Sequence, residues 1–198
     1  MRRAIIGLII AGLVIISMSN TCSTNQPMRT VDYVELETFM GTWFIIGYTP
    51  ILVDKKAHNG VEHYYLDGSG KILTTYQFRE GSASGKIKTY QPTGFVHGEN
   101  NAEWRMRFIW PFKAKYLIYY LSKNKKDTII THPNRKYAWI MSRKSYMTEE
   151  RYKSFIKMLE ADNFNTEAIR KMPQDWENDQ KRLSNIDKIG ATQPLEPR

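Results

Sequence analysis

Between Gly41 and Arg143 hydrophobic and polar positions alternate. The clearest stretch is Ala102–Trp110. Ala102, Trp104, Met106, Phe108 and Trp110 fall on one parity, and Glu103, Arg105 and Arg107 on the other. That period of two marks a strand with one dry face and one wet face. Tyr116–Leu121 and Tyr137–Met141 are further aromatic and β-branched runs. Turn-forming stretches separate the runs. Asp67-Gly68-Ser69-Gly70 divides Val61–Leu66 from Ile72–Phe78, and Glu80–Gly85 precedes Lys86–Tyr90. His97–Asn101 precedes the Trp104 run, and Lys123–Lys126 and His132–Asn134 close two later hairpins. From Thr42 onward this predicts about eight strands in about 100 residues, the spacing of an antiparallel sandwich or barrel.

The pattern changes after Arg143. Thr148 is positioned as a helix N-cap, with Glu149 and Glu150 in the first turn. Tyr152, Phe155, Ile156 and Leu159 recur at helical spacing, which predicts one amphipathic helix ending near Asn163. Thr166–Lys171 adds a turn before Pro173, and from Glu177 the polar chain predicts a mobile tail. At the other end, Arg2 and Arg3 precede a 13-residue apolar run, Ala4–Ile16. That run is too short to span a bilayer, and it has the form of an export signal. The predicted organisation is a signal peptide over 1–21, a tether over 22–30, a barrel with its helix over 31–176 and a tail over 177–198.

Composition adds three points. With 41% hydrophobic and 13% aromatic residues in 198, the chain has the bulk for a core. Its one cysteine, Cys22, excludes a disulfide framework and multi-cysteine metal centres. Cys22 sits at the end of the signal, where a bacterial lipoprotein carries its acylated residue, so lipidation there is expected. The formal charge is +9. Between Lys113 and Lys144 there are nine basic residues and one acid, Asp127. Lys123, Lys125, Lys126, Arg135 and Lys136 fall in two hairpin loops. They predict a basic rim able to face an anionic membrane surface. No nucleic-acid partner is expected of an exported chain.

The order of elements, opened by Gly41-Thr42-Trp43, resembles the lipocalins, and within them the bacterial outer-membrane lipoproteins related to apolipoprotein D. Two further passages carry the resemblance: Trp110-Pro111-Phe112 leading into Tyr116, and Tyr137-Ala138-Trp139-Ile140-Met141-Ser142-Arg143. The resemblance implies an all-β fold: an eight-stranded antiparallel up-and-down β-barrel with one C-terminal amphipathic α-helix packed outside. It also implies that Trp43 plugs the closed end with Arg143 across its indole, and that Gly41 permits an unusual backbone there. The acid and base usual in the first strand are replaced by Ile45 and Tyr48.

A barrel of this size holds one small ligand. Strand parity places Trp104, Met106, Phe108, Tyr116, Ile118, Tyr120, Trp139 and Met141 inward. Such a lining suits a fatty acid or a lysophospholipid-like amphiphile, bound in the cell envelope and not transformed. Two alternatives remain. A lipocalin-fold enzyme acting on a hydrophobic substrate needs polar groups converging inside the barrel. A ligand-free structural module needs the interior filled. Glu62 and Glu103 are a carboxylate pair in principle, but Glu103 has outward parity. Ser82 and Ser84 belong to a flexible Gly/Ser turn. His58, His63, His97 and His132 show no metal-ligand spacing and are expected to face solvent. No cofactor or metal site is predicted.

Overall fold

A computed structural model describes residues 28–109 and 111–191. The expected signal peptide, Cys22, most of the expected tether, Trp110 and residues 192–198 lie outside the described residues. The strands are β1 (Gly41–Tyr48), β2 (Ala57–Leu66), β3 (Lys71–Glu80), β4 (Ile87–Tyr90), β5 (Thr93–His97), β6 (Glu103–Ile109), β7 (Phe112–Leu121), β8 (Asp127–Thr131), β9 (Ala138–Ser142) and β10 (Arg170–Lys171). The helices are α1 (Leu36–Phe39), α2 (Glu149–Ala161) and α3 (Gln180–Ala191).

All strand pairs are antiparallel. The sheet closes on itself because β9 pairs with β1, from Phe44 opposite Ser142 to Tyr48 opposite Trp139. β4 and β5 both pair with β3, the former along Tyr76–Arg79 and the latter along Lys71–Leu73. They are one barrel strand broken at Gln91-Pro92. Proline has no N–H to give the ladder, but the Pro92 carbonyl accepts the Thr74 N–H at 3.1 Å. The barrel therefore has the expected eight strands, and β10 is an outer addition against Gly47 and Tyr48 of β1.

Successive hairpin loops fall at alternate ends of such a barrel. Loops 67–70, 98–102 and 122–126 share one end with α1. Loops 49–56, 81–86 and 132–137 lie at the other. The two basic hairpin loops are thus at opposite ends and do not form the single rim expected from sequence.

The α1 end is closed. Trp43 is fully buried and its indole N–H donates to the Phe39 carbonyl at 2.8 Å. The Arg143 guanidinium lies 3.8 Å from the Trp43 ring centre. It also donates to the carbonyls of Thr38, Phe39, Met40 and Thr42 at 2.7–3.1 Å. Carbonyls left over at a helix C-terminus need such donors, and a cation there suits the helix dipole. Burial lowers the Arg143 pKa to about 10, so it stays charged at neutral pH. Gly41 has φ +87°, a conformation that favours glycine.

Outside the barrel, Thr148 caps α2 by accepting the Arg151 N–H at 3.3 Å. Tyr152, Phe155 and Leu159 bury that helix against Phe44, Ile46 and Ile140. The approach is so close that a Cβ on Gly47 would meet the Tyr152 ring at 2.8 Å. Asn163, with φ +61°, ends this segment.

Two expectations change. The stretch read as a mobile tail contains α3, which packs on β2 and β3 and buries Ile186. Its anchor is polar. The Asp179 carboxylate accepts from Arg79 and Arg182 at 2.7–2.9 Å, and Asn59 donates to it at 3.2 Å. Burial alone would raise the Asp179 pKa, but these donors hold it well below the usual carboxylate range. The end of the tether is also packed. Arg29 pairs with Asp162 at 3.0 Å and donates to the Tyr119 hydroxyl at 2.6 Å.

Candidate ligand-binding site

The lumen is built by the inward parity of each strand. Trp104, Met106, Tyr116, Ile118 and Met141 are buried together inside the barrel, and Trp139 packs against them. Trp104 stacks on Tyr116 with ring centres 5.5 Å apart, and Tyr116 on Trp139 at 6.5 Å. Phe39, Trp43 and Tyr64 complete the aromatic floor, Phe39 lying 5.0 Å from Trp43 and 5.4 Å from Trp104.

Two of the residues predicted to line the lumen do not. Register shifts by one between Met106 and Ile109, and Phe108 beyond that bulge is 59% exposed. A second bulge between Ile118 and Tyr120 sends Tyr119 and Tyr120 outward. There Tyr120 meets Phe155 of α2, ring centres 5.2 Å apart, and accepts a hydrogen bond from Arg151. An extra residue in one strand flips every side chain after it to the other face.

The lumen also holds carboxylates. Glu62 lies opposite Trp43 on β1 and Tyr76 on β3, on the same face of β2 as the buried Tyr64. The Tyr64 hydroxyl donates to its Oε2, and the Tyr116 hydroxyl, 3.4 Å from the same oxygen, shares its one proton between that oxygen and the Tyr64 hydroxyl. Glu62 keeps some accessible surface although protein encloses it, so that surface faces the lumen. Burial pushes its pKa up to about 7, against the opposing hydrogen bonds of the two phenols. Burial also raises the pKa of Asp54, which caps its own loop through the Ile51 N–H at 2.7 Å. Tyr76 donates to the Asp54 carboxylate at 3.2 Å and Tyr48 to the Asp54 carbonyl at 2.9 Å.

Glu103, by contrast, faces outward and pairs with Arg105 at 2.7 Å and Lys115 at 3.9 Å. Glu62 and Glu103 are on opposite faces of the wall and form no pair. His63 is buried, not solvent-facing, with Nδ1 3.0 Å from the Thr42 hydroxyl. Two clefts lie outside the barrel. One of about 520 Å³ includes Arg79, Ser82, Ser84 and Asp175. One of about 480 Å³ includes Met28, Thr30, Lys115, Pro133 and Arg135. Among the described residues, no group of three or more His, Cys, Asp or Glu is placed to hold a metal.

Residues 34–174 match the family model described as a lipocalin-like domain. The chain is a lipocalin. It is 27% identical over 167 residues to temperature-induced lipocalin-1 of Arabidopsis thaliana, covering 75% of this chain and 84% of the plant protein. It is 24% identical over 144 residues to the outer membrane lipoprotein Blc of Escherichia coli K12, covering 65% of this chain and 75% of Blc. Among solved structures it resembles lobster apocrustacyanin A1, with TM-score 0.56 and 14% identity over 71% of this chain and 80% of that one. The cockroach allergen Per a 4 gives TM-score 0.55 and 16% identity, covering 75% of this chain and 94% of the allergen.

In this lipocalin, sequence reasoning named Glu62 only as half of a pair with Glu103 and missed the rest of the polar lumen: Tyr64, Thr74, Asp54 and Tyr76. In Val61–Leu66 both parities mix apolar and polar residues, so period two gives no answer. The structure shows why. The outer face of β2 is covered as well, with Val61 buried in the cluster that holds Ile186 of α3.

Proposed function

We propose that this lipocalin binds a small amphiphile of the fatty acid or lysophospholipid class in its barrel. It holds or moves that ligand in the cell envelope and carries out no chemistry on it. The observation that carries this reading is the aromatic lumen, from the Trp43 floor through Trp104, Tyr116 and Trp139. Burying an alkyl chain there contributes about 0.8 kcal/mol per methylene. Ten methylenes give roughly 8 kcal/mol before ordering costs, which corresponds to micromolar affinity.

The open end supports a membrane-facing mouth. Leu52, Val53, Phe108 and Phe112 are exposed around it, with Lys55, Lys56 and Lys113 beside them. They join Arg135 and Lys136 of loop 132–137 at this end, while the Lys123–Lys126 hairpin lies at the other. Met28 shares a cleft with Pro133 and Arg135 of the open-end loop 132–137 and with Gly98 and Asn100 of the closed-end loop 98–102, so the amino-terminal segment meets the outer wall between the two ends. Acylation at Cys22 would anchor the protein six residues before Met28, a reach of at most about 20 Å. That anchor would keep the barrel close to the bilayer, in line with a position in the outer membrane.

The test is titration of the full chain with a fluorescent fatty acid, read by quenching of tryptophan emission. Saturable quenching at micromolar probe is expected. No saturable binding would overturn the reading. Mass spectrometry of the mature amino terminus tests Cys22, and an unmodified residue removes the anchor.

A further inference from the structure

We infer that the floor of the lumen is a polar subsite that takes a hydrogen-bond donor, a hydroxyl or an amine, at the buried end of the ligand, and disfavours a carboxylate there. This rests on the proposed binding of an amphiphile inside the barrel and specifies which end goes in first.

Three observations carry it. First, both phenols around Glu62 turn to the same oxygen, Oε2. Oε1 accepts no hydrogen bond from any described residue, and the accessible surface of Glu62 faces the lumen. Facing the lumen with no protein donor, Oε1 is open to a donor that a ligand brings. Second, Thr74 is 2% exposed and its hydroxyl has no partner. It lies opposite Tyr64 on the neighbouring strand, on the lumen face of β3 shared by Ile72 and Tyr76. An unpartnered hydroxyl and an unpartnered carboxylate oxygen thus occupy the same floor. Third, the charges there are unfavourable for an anion. Asp54, on the loop that folds in from the open end, adds a second carboxylate above the floor and is bonded to Tyr76, the cross-strand neighbour of Glu62. At the closed end the Arg143 guanidinium is committed to Trp43 and to four backbone carbonyls.

A saturated tail ending at this floor would leave both unpartnered groups unpaired, and a carboxylate would add repulsion to desolvation. A hydroxyl or an amine can donate to Glu62, and a hydroxyl can also accept from Thr74.

The experiment displaces the fluorescent fatty acid from the full chain at pH 8 with dodecanol, dodecylamine and dodecanoate, each below its micellar concentration. At least one of dodecanol and dodecylamine is expected to bind tenfold or more tighter than dodecanoate, and the tighter of the two identifies the donor. Glu62→Gln should narrow that ratio to under threefold. Thr74→Val, which keeps the shape of the side chain, should weaken the preferred probe severalfold and leave dodecanoate unchanged. Dodecanoate binding as tightly as the other two overturns the inference and leaves the lipid-binding reading intact. So does an equal loss for all three probes in Thr74→Val. Bound probe that none of the three displaces also overturns the inference, and absence of saturable probe binding overturns the lipid-binding reading itself.

Discussion

Replacing Glu62 by glutamine should stabilise the protein above neutral pH. The Glu62 carboxyl titrates near pH 7 against an ordinary 4.5, because burial opposes its charge. At about 1.4 kcal/mol for each tenfold in proton affinity, holding it ionised in the folded barrel costs about 3 kcal/mol. The folded pKa is raised, so the native state keeps a proton that the unfolded chain releases. That contribution is fully present below about pH 4.5. It is lost as pH rises toward 7, and the loss is complete at pH 8. Glutamine keeps two polar atoms for the phenols of Tyr64 and Tyr116 and has no charge to bury. The excess stability of Glu62→Gln over wild type should therefore grow by about 2.5 kcal/mol between pH 5 and pH 8, since the first part of the loss precedes pH 5. For a domain of this size that is about 5–10 °C in Tm.

The assay is urea denaturation of both proteins at pH 5, 6, 7 and 8, checked for equal m-values. Taking the difference between the two proteins removes the other titrating groups. Asp54, also raised by burial, acts in the same direction but is present in both. Asp179, held low, matters only in acid, where protonation loosens its grip on Arg79 and Arg182. Parallel curves for the two proteins from pH 5 to 8 would refute the reasoning. They would mean that Glu62 ionises in a watered lumen without penalty.

Other outcomes follow from the same geometry. Asp179→Ala leaves Arg79 and Arg182 without their shared partner and should lower stability by about 3 kcal/mol in urea, as breaking a buried ion pair does. Arg143→Ala removes donors to four carbonyls and the contact with Trp43. Hydrogen bonds from a charged group (about 1.5–3 kcal/mol) and a cation–π contact (about 0.5–2 kcal/mol) predict a loss of about 3 kcal/mol, partly restored by Arg143→Lys. Phe112→Ser combined with Leu52→Ser should reduce binding to anionic vesicles in a flotation assay while changing stability by less than about 0.5 kcal/mol, since both side chains are exposed.

Most of the fold was legible because one physical signal repeats. Each barrel strand has one face toward the lumen, and where the outer face meets solvent the alternation survives, as in Glu103–Arg107. The closed end was legible only through the resemblance, which assigned Gly41, Trp43 and Arg143 their places. The physical reason is now visible: a glycine at positive φ, a buried indole and an arginine that caps a helix while covering that indole leave few substitutes. α3 was not legible, because among the described residues its attachment is the Asp179 clamp with Leu183 and Ile186, and a mostly polar sequence of this kind looks like a tail.

The lumen was legible only as far as the strands stay regular. Parity counted from Trp104 holds for Met106 and fails at Phe108. Parity counted from Tyr116 holds for Ile118 and fails at Tyr120, each time across a bulge that no composition announces. The failure at Tyr120 follows from α2: the bulge lets Tyr119 and Tyr120 both point out, one to bond Asp162 and the other to cover Phe155. Glu62 escaped for the opposite reason. An acid on a strand is normally assigned to solvent, and only the cross-strand register with Trp43 and Tyr76 puts it inside. Its partners are phenols, which a hydrophobic pattern counts as apolar. The polar floor of this barrel is therefore carried by residues that the alternation treats as wall.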